Sequence, residues 1–286
     1  GLLGPVRGAR GTLHFAAMSG HEGLPPALLI TPMPGRRVVT AGVWVRWGSA
    51  HDPAPLAGAT HLVEHLTLRR CGARSRKELA QLVDRLGGDV DAWTSSELMG
   101  LSVQTTVDAL DEALDLLVDA VLTPTFDRDD VELERRVTLA ELEMLRDDPT
   151  DQVEDTLLEA CWGDHPLARP VIGSETTVSA LEPSTLRRHH ARLLEPGRLL
   201  AAVTGDVDPQ AVARRLARLP LGAVPEPPPL APLTWTSRHL RLDRDGMDQV
   251  HARLAFPAVA ISDPASVAVG VLNRLLGVGA SSRLFQ

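Results

Sequence analysis

Residues 37–49, "RVVTAGVWVRWGS", alternate apolar and polar positions with a period of two, which puts Val39, Ala41, Val43 and Val45 on one face of a long strand. Shorter runs at 12–18 and 26–32 read as strands as well. The period then changes to that of a helix over 56–69 and again over "SRKELAQLVDRLGG", where Ser75 caps the start, Glu78 stands three positions on, and Gly87-Gly88 closes the end. "DVDAWTS" and "LMGLSVQTTV" read as two strands joined by a turn at 95–97. Helical patterns follow at 107–122, 127–147 and 149–161, separated by "TPTFD" and "DDPTD", and then at 183–194 and 208–218 around the apolar strand "LLAAVTGDV". Strands followed by a block of helices predict an α+β fold, with an antiparallel-rich mixed sheet packed against helices.

The stretch 219–236, beginning "LPLGAVPEPPPLAPLTW", is proline-rich and reads as a linker that holds two bodies apart. The expected organisation is therefore a first domain over 1–218, the linker over 219–236, and a second body over 237–286. In the latter, "HLRLDRDGMDQVHARLAFPA" reads as a hairpin around Asp245-Gly246, and "DPASVAVGVLNRLLG" as a helix. About fifty residues do not readily bury a core of their own, so this body reads as the beginning of an incomplete α+β domain.

Composition narrows the partners. A net charge of −8 with pI near 5.7 argues against nucleic acid or an anionic membrane surface, since both call for a basic stripe. No apolar run approaches the roughly 20 residues that span a bilayer, and the expected setting is cytoplasmic. Cys71 and Cys161 are too few for a disulfide framework and read as reduced, structural thiols.

The chemistry concentrates in "GATHLVEHLTLRR" (58–70). His61 and His65 are four apart, so on a helix their imidazoles lie about 5–6 Å apart at Cβ and can reach one cation. Neutral imidazoles suit zinc, whose open position holds a water acidified to a pKa of about 7. Glu64 shares that face and is better placed for the water than for the metal, as a general base. A third ligand must come from elsewhere. "DVELERRVTLAELEMLRDD" offers Glu134 and Glu141, seven apart and on one helix face, while Glu132 and Glu143 fall on other faces. One of the pair can complete a three-ligand site and the other can hold a histidine ring by accepting its N–H. His51, His165, His189 and His190 lie outside this pattern and read as surface or structural residues.

These stretches, with "GGDVDAWTSSE", "HPLARPVIGSETTVSAL", "LLAAVTGDVDP" and "LGVGASSRLFQ", resemble the inverted-motif (HxxEH) zinc peptidases, the pitrilysin and insulysin family, and most closely its mitochondrial-processing-peptidase-like branch. The resemblance implies that His61, His65 and Glu141 bind one Zn2+ and that Glu64 is the catalytic base. Glu134 would then support the site from behind a ligand. It also implies that Val90, Asp91, Ala92, Trp93 and Thr94 form an edge strand that binds substrate, although Asp91 stands where the family usually has Asn. The implied function is a zinc metalloendopeptidase acting on peptides or extended segments, leader or presequence removal included. The alternative is a non-catalytic scaffold or partner subunit of the same fold. In the family an arginine and a tyrosine of the later domain help hold substrate, and this chain has no tyrosine. The resemblance therefore implies a second subunit, as a homodimer or heterodimer, or a second half that completes the chamber.

Overall fold

Alternation along β2 (Val38–Val45) buries Val39, Ala41, Val43 and Val45, as the period of two predicts. The computed structural model, which describes residues 24–222 and 229–286, places this strand at the centre of a five-stranded sheet. The other strands are β1 (Leu28–Pro32), β3 (Asp89–Thr94), β4 (Met99–Thr106) and β5 (Leu199–Gly205), in the spatial order β1-β5-β2-β4-β3. β1 pairs with β5 in parallel and every other neighbouring pair is antiparallel, which is the mixed, antiparallel-rich sheet expected. The strand expected at 12–18 lies outside the described residues.

The sheet turns one face to α1 (Ala59–Thr67), α3 (Leu110–Leu122) and α8 (Pro209–Leu216). Between them runs one apolar core that joins Val43, Leu101, Val103 and Ala201 of the strands to Leu62 and Leu66 of α1 and Leu114 and Leu117 of α3. Each such valine or leucine side chain, fully buried, contributes about 1.5–3 kcal/mol by leaving water. α4 (Arg128–Asp147) and α7 (Pro183–Leu193) pack against α1 from the other side, so α1 is held between the sheet and two further helices. α5 (Pro149–Trp162) and α6 (Glu175–Ser179) continue this outer layer. α2 (Arg76–Leu86) begins with the Ser75–Glu78 capping box and ends on Gly87 at φ +63°. A Cβ on the next glycine, Gly88, would fall 1.9 Å from the carbonyl oxygen of Gln104, so only glycine lets β3 start this close to β4.

Boundaries moved where local chemistry intervened. The strand expected to reach residue 49 stops at Val45, and Ser49–His51 form a 3-10 turn held by N–H bonds from Ser49 and Ala50 to the Ser95 and Ser96 carbonyls. The helix expected from 56 begins at Ala59, because Gly58 at φ +91° cannot continue a helix backward. The helix expected from 107 opens with a 3-10 turn at Val107–Ala109.

Among the described residues, those up to Arg253 and those from Leu254 onward form separate compact units. Among the described linker residues, the Thr236 N–H donates to the Cys161 carbonyl at 3.0 Å and His165 Nε2 lies 2.8 Å from the Ala231 carbonyl. The expected hairpin is not formed. Asp245-Gly246 make a turn, but the flanking residues form no strand, and Leu240, Leu242 and Val250 are exposed. A hairpin alone is marginal in water, and among the described residues no third strand pairs with this stretch. In the later unit α9 (Ser266–Gly277) forms where the pattern predicts. No helix among the described residues is long and apolar enough to cross a membrane.

Both cysteines are free and buried. Burial, helped by the charge of Asp119, pushes the Cys71 thiol up to about 11, and the thiolate is the reactive form. In a Cys161→Ser background, Cys71 should therefore resist a thiol reagent at pH 8 until the protein is unfolded. Rapid stoichiometric labelling of the native protein would contradict this packing.

Candidate metal centre

The site begins at a close crossing of two backbone segments. Gly58 (φ +91°) and Gly173 (φ +83°) face each other so tightly that a Cβ on Gly58 would lie 2.5 Å from the Ile172 carbonyl oxygen, and one on Gly173 would lie 2.4 Å from that of Ala57. Both the conformation and the contact demand glycine. Gly58 cannot cap α1 with a side chain, and Asp52 does so from the preceding loop: its Oδ2 accepts the Thr60 N–H at 3.1 Å and its Oδ1 accepts the Thr60 hydroxyl at 2.6 Å. A carboxylate at a helix N-terminus also meets the positive end of the helix dipole.

From this anchor α1 turns Ala59, Leu62, Val63 and Leu66 into the core and leaves His61, Glu64 and His65 half-buried together on the other face. The two imidazole centroids are 4.6 Å apart. α4 crosses α1 here and brings in Glu141, so that one ring nitrogen of each histidine and a Glu141 oxygen all lie within 4.8 Å of one another. His65 divides its ring between two carboxylates. Nδ1 lies 3.2 Å from Glu134 Oε2, and Nε2 lies 3.6 Å from Glu141 Oε2. Glu134 is buried, whereas Glu141 is 38% exposed at its side chain. The pair seven residues apart, left open by spacing alone, is thus split by tertiary packing.

The electrostatics suit a cation. Burial, with the neighbouring His65, holds His61 down to about 4, so its ring is neutral and able to donate a lone pair at physiological pH. His61 Nδ1 is also buried without a hydrogen-bond partner among the described residues. At His65 burial works against the charged form, but the hydrogen bond to Glu134 and the charges of Glu64, Glu141 and Glu134 outweigh it and raise the pKa. A metal must displace that proton, so affinity should rise with pH. Burial raises the Glu64 carboxyl, and the Glu141 and Asp91 charges add to it against the opposing pull of His65 and Thr94. Two imidazoles and one carboxylate, with a raised carboxyl beside them, match the donor set of an open zinc site.

β3 is the terminal strand of the described sheet, pairing with β4 on one side. Its residues point two ways. Val90 and Ala92 pack against the core, and the Thr94 hydroxyl lies 3.4 Å from Glu64 Oε2. Asp91 is exposed, and Trp93 lies over Gly100, where a Cβ would come within 2.6 Å of the indole.

Sequence reasoning missed the buried network behind α1. His189 Nε2 lies 2.9 Å from Thr60 Oγ1 and 3.2 Å from Asp52 Oδ1, with both acid and imidazole side chains fully buried. Trp47 Nε1 donates to the same Asp52 oxygen at 3.3 Å, and Arg198 sits 4.3 Å over the Trp47 ring. The Arg169 guanidinium donates to the Ala50 and Asp52 carbonyls. No local signal reveals this network, because Thr60 and His189 are 129 residues apart in the chain. His190 is structural too, with Nε2 2.8 Å from the Val121 carbonyl.

Comparison with known proteins shows the family of this chain. Residues 29–175 match the family described as insulinase (peptidase family M16), and residues 180–286 match the peptidase M16 inactive domain. A protein named as an uncharacterized zinc protease of Mycobacterium leprae (strain TN) is 37% identical over 264 residues, covering 89% of this chain and 58% of the relative. A probable mitochondrial-processing peptidase subunit beta of Arabidopsis thaliana is 24% identical over 247 residues, covering 84% of this chain and 46% of the relative. Among solved structures, a protease from Helicobacter pylori shares the fold with a TM-score of 0.74 at 22% identity, covering 90% of this chain and 64% of that one. The chain belongs to peptidase family M16, whose metal is zinc. It spans about half the length of the curated relatives it matches.

Proposed function

We propose that this chain carries the catalytic centre of a zinc metalloendopeptidase that hydrolyses extended peptide segments. The convergence of His61, His65 and Glu141 within 4.8 Å, beside Glu64 on the same face of α1, carries this reading. In it His61, His65 and Glu141 are the ligands, and Glu134 fixes the His65 ring through Nδ1. Zinc, when bound, supplies Lewis acidity that polarises a peptide carbonyl and acidifies water to a pKa of about 7. Glu64 takes the proton of the attacking water and returns it to the leaving amine, work that its raised pKa suits.

Substrate binds in this reading by adding a strand to the outer edge of β3, through main-chain hydrogen bonds to Val90, Asp91, Ala92, Trp93 and Thr94. The terminal position of β3 in the described sheet supports it. A second half or a second subunit completes the enclosure, in line with the greater length of the relatives. Likeness to the Arabidopsis subunit favours removal of leader segments as one use of this chemistry.

The test uses the full-length protein with stoichiometric zinc and two substrates carrying one cleavage sequence, in a flexible peptide and inside a stable domain. The flexible peptide should be cut and the domain should resist, because unfolding a domain costs about 5–15 kcal/mol. Equal rates would rule out strand addition. Bound zinc with no turnover of any flexible peptide would overturn the peptidase reading in favour of a scaffold.

A further inference from the structure

Glu134 holds more than His65. Its Oε2 faces His65 Nδ1 at 3.2 Å, while its Oε1 lies 2.9 Å from Nη1 of Arg69, on the last turn after α1. The Arg69 and Glu134 side chains are only 10% and 9% exposed, so water does little to screen the pair. Asp130, one turn before Glu134 on α4, lies 3.5 Å from Arg69 Nε and also takes Arg70 at 2.8 Å. Arg70 reaches Asp127 as well. The two arginines at the end of α1 are thereby clamped to the first turns of α4, the helix that carries Glu141.

We infer that Arg69 is a positioning residue for the metal, acting through Glu134 on His65. A carboxylate can rotate about its last bond, and a single hydrogen bond from an imidazole leaves that rotation open. Arg69 removes the freedom by occupying the second oxygen, which leaves Oε2 aimed at Nδ1. The imidazole then presents Nε2 toward Glu141 and His61 in one fixed orientation. This inference rests on the metal reading proposed above and adds a residue to it that touches neither metal nor substrate.

The sign of the effect distinguishes positioning from simple charge. Removing a nearby cation should, by electrostatics alone, tighten the binding of Zn2+. Loss of positioning should weaken it by about 10- to 100-fold, the usual range for such supporting contacts. Zinc affinity is measured on the full-length protein by competition with a chromophoric chelator, and folding of each variant is followed by circular dichroism. The expected results are a fall in affinity for Arg69→Ala, partial recovery for Arg69→Lys, and a double variant Arg69→Ala/Glu134→Gln that binds no more weakly than Glu134→Gln alone. The absorption of the Co2+-substituted Arg69→Lys protein should match wild type, which reads the ligand geometry without activity. Unchanged or tighter zinc binding by folded Arg69→Ala would overturn the inference and leave the metal site standing. Failure of the wild type to bind zinc would overturn both. Should Arg69→Ala fail to fold, Arg69→Lys decides: full additivity between Arg69→Lys and Glu134→Gln would refute coupling.

Discussion

Glu64→Gln in the full-length protein is expected to keep its zinc and its fold and to lose peptide hydrolysis by about 10²- to 10⁴-fold, the range of a general base. The amide has almost the shape of the carboxylate, and the one hydrogen bond Glu64 Oε2 receives, from Thr94, is long at 3.4 Å, so little packing is disturbed. What is lost is the capacity to take a proton. Glu64 is absent from the group of candidate ligand atoms within 4.8 Å, which supports the separate roles proposed for it and Glu141. The matched variant Glu141→Gln should lose zinc before anything else, since a neutral amide is a poor third ligand. Metal content and turnover measured on both variants check the division. Normal turnover by Glu64→Gln, with mass verified, would exclude this mechanism.

Asp52→Ala should be the most damaging single change to stability near the site. The carboxylate accepts from the Thr60 N–H, the Thr60 hydroxyl and Trp47 Nε1 and lies against His189, all buried. Its removal strands these buried groups away from water, at about 1–3 kcal/mol for each donor left unsatisfied and roughly 3–5 kcal/mol together. For a body of this size that corresponds to a fall in Tm of about 6–20 °C. His61 follows Thr60 directly, so the frayed first turn of α1 should also loosen a proposed zinc ligand. Thermal unfolding of the metal-free protein isolates the packing effect. A Tm within a degree or two of wild type would show that the network contributes nothing.

Local pattern determined a large part of this protein. The alternation of Val39 to Val45 made β2, Ser75 and Glu78 started α2, Gly87 ended it, and the four-residue spacing of His61 and His65 put both rings on one face of α1. Each of these is decided within one or two turns of chain, where side-chain direction follows from backbone period alone. Tertiary structure decided the rest. Glu134 and Glu141 share a helix face and differ in sequence context by nothing that names one as the ligand. Only the crossing of α4 over α1, with Arg69 on one oxygen of Glu134, separates the buried supporter from the carboxylate that meets both histidines. The terminal place of β3 depends on the order β1-β5-β2-β4-β3, and the cap of α1 depends on Asp52 and His189, brought together across more than a hundred residues. The alternation on either side of Asp245-Gly246 predicts strands but supplies no third partner, and there the local signal did not produce a hairpin. Periodicity sets which way a side chain points; what it meets is set by chain segments far away, because only packing of the whole core brings them into contact.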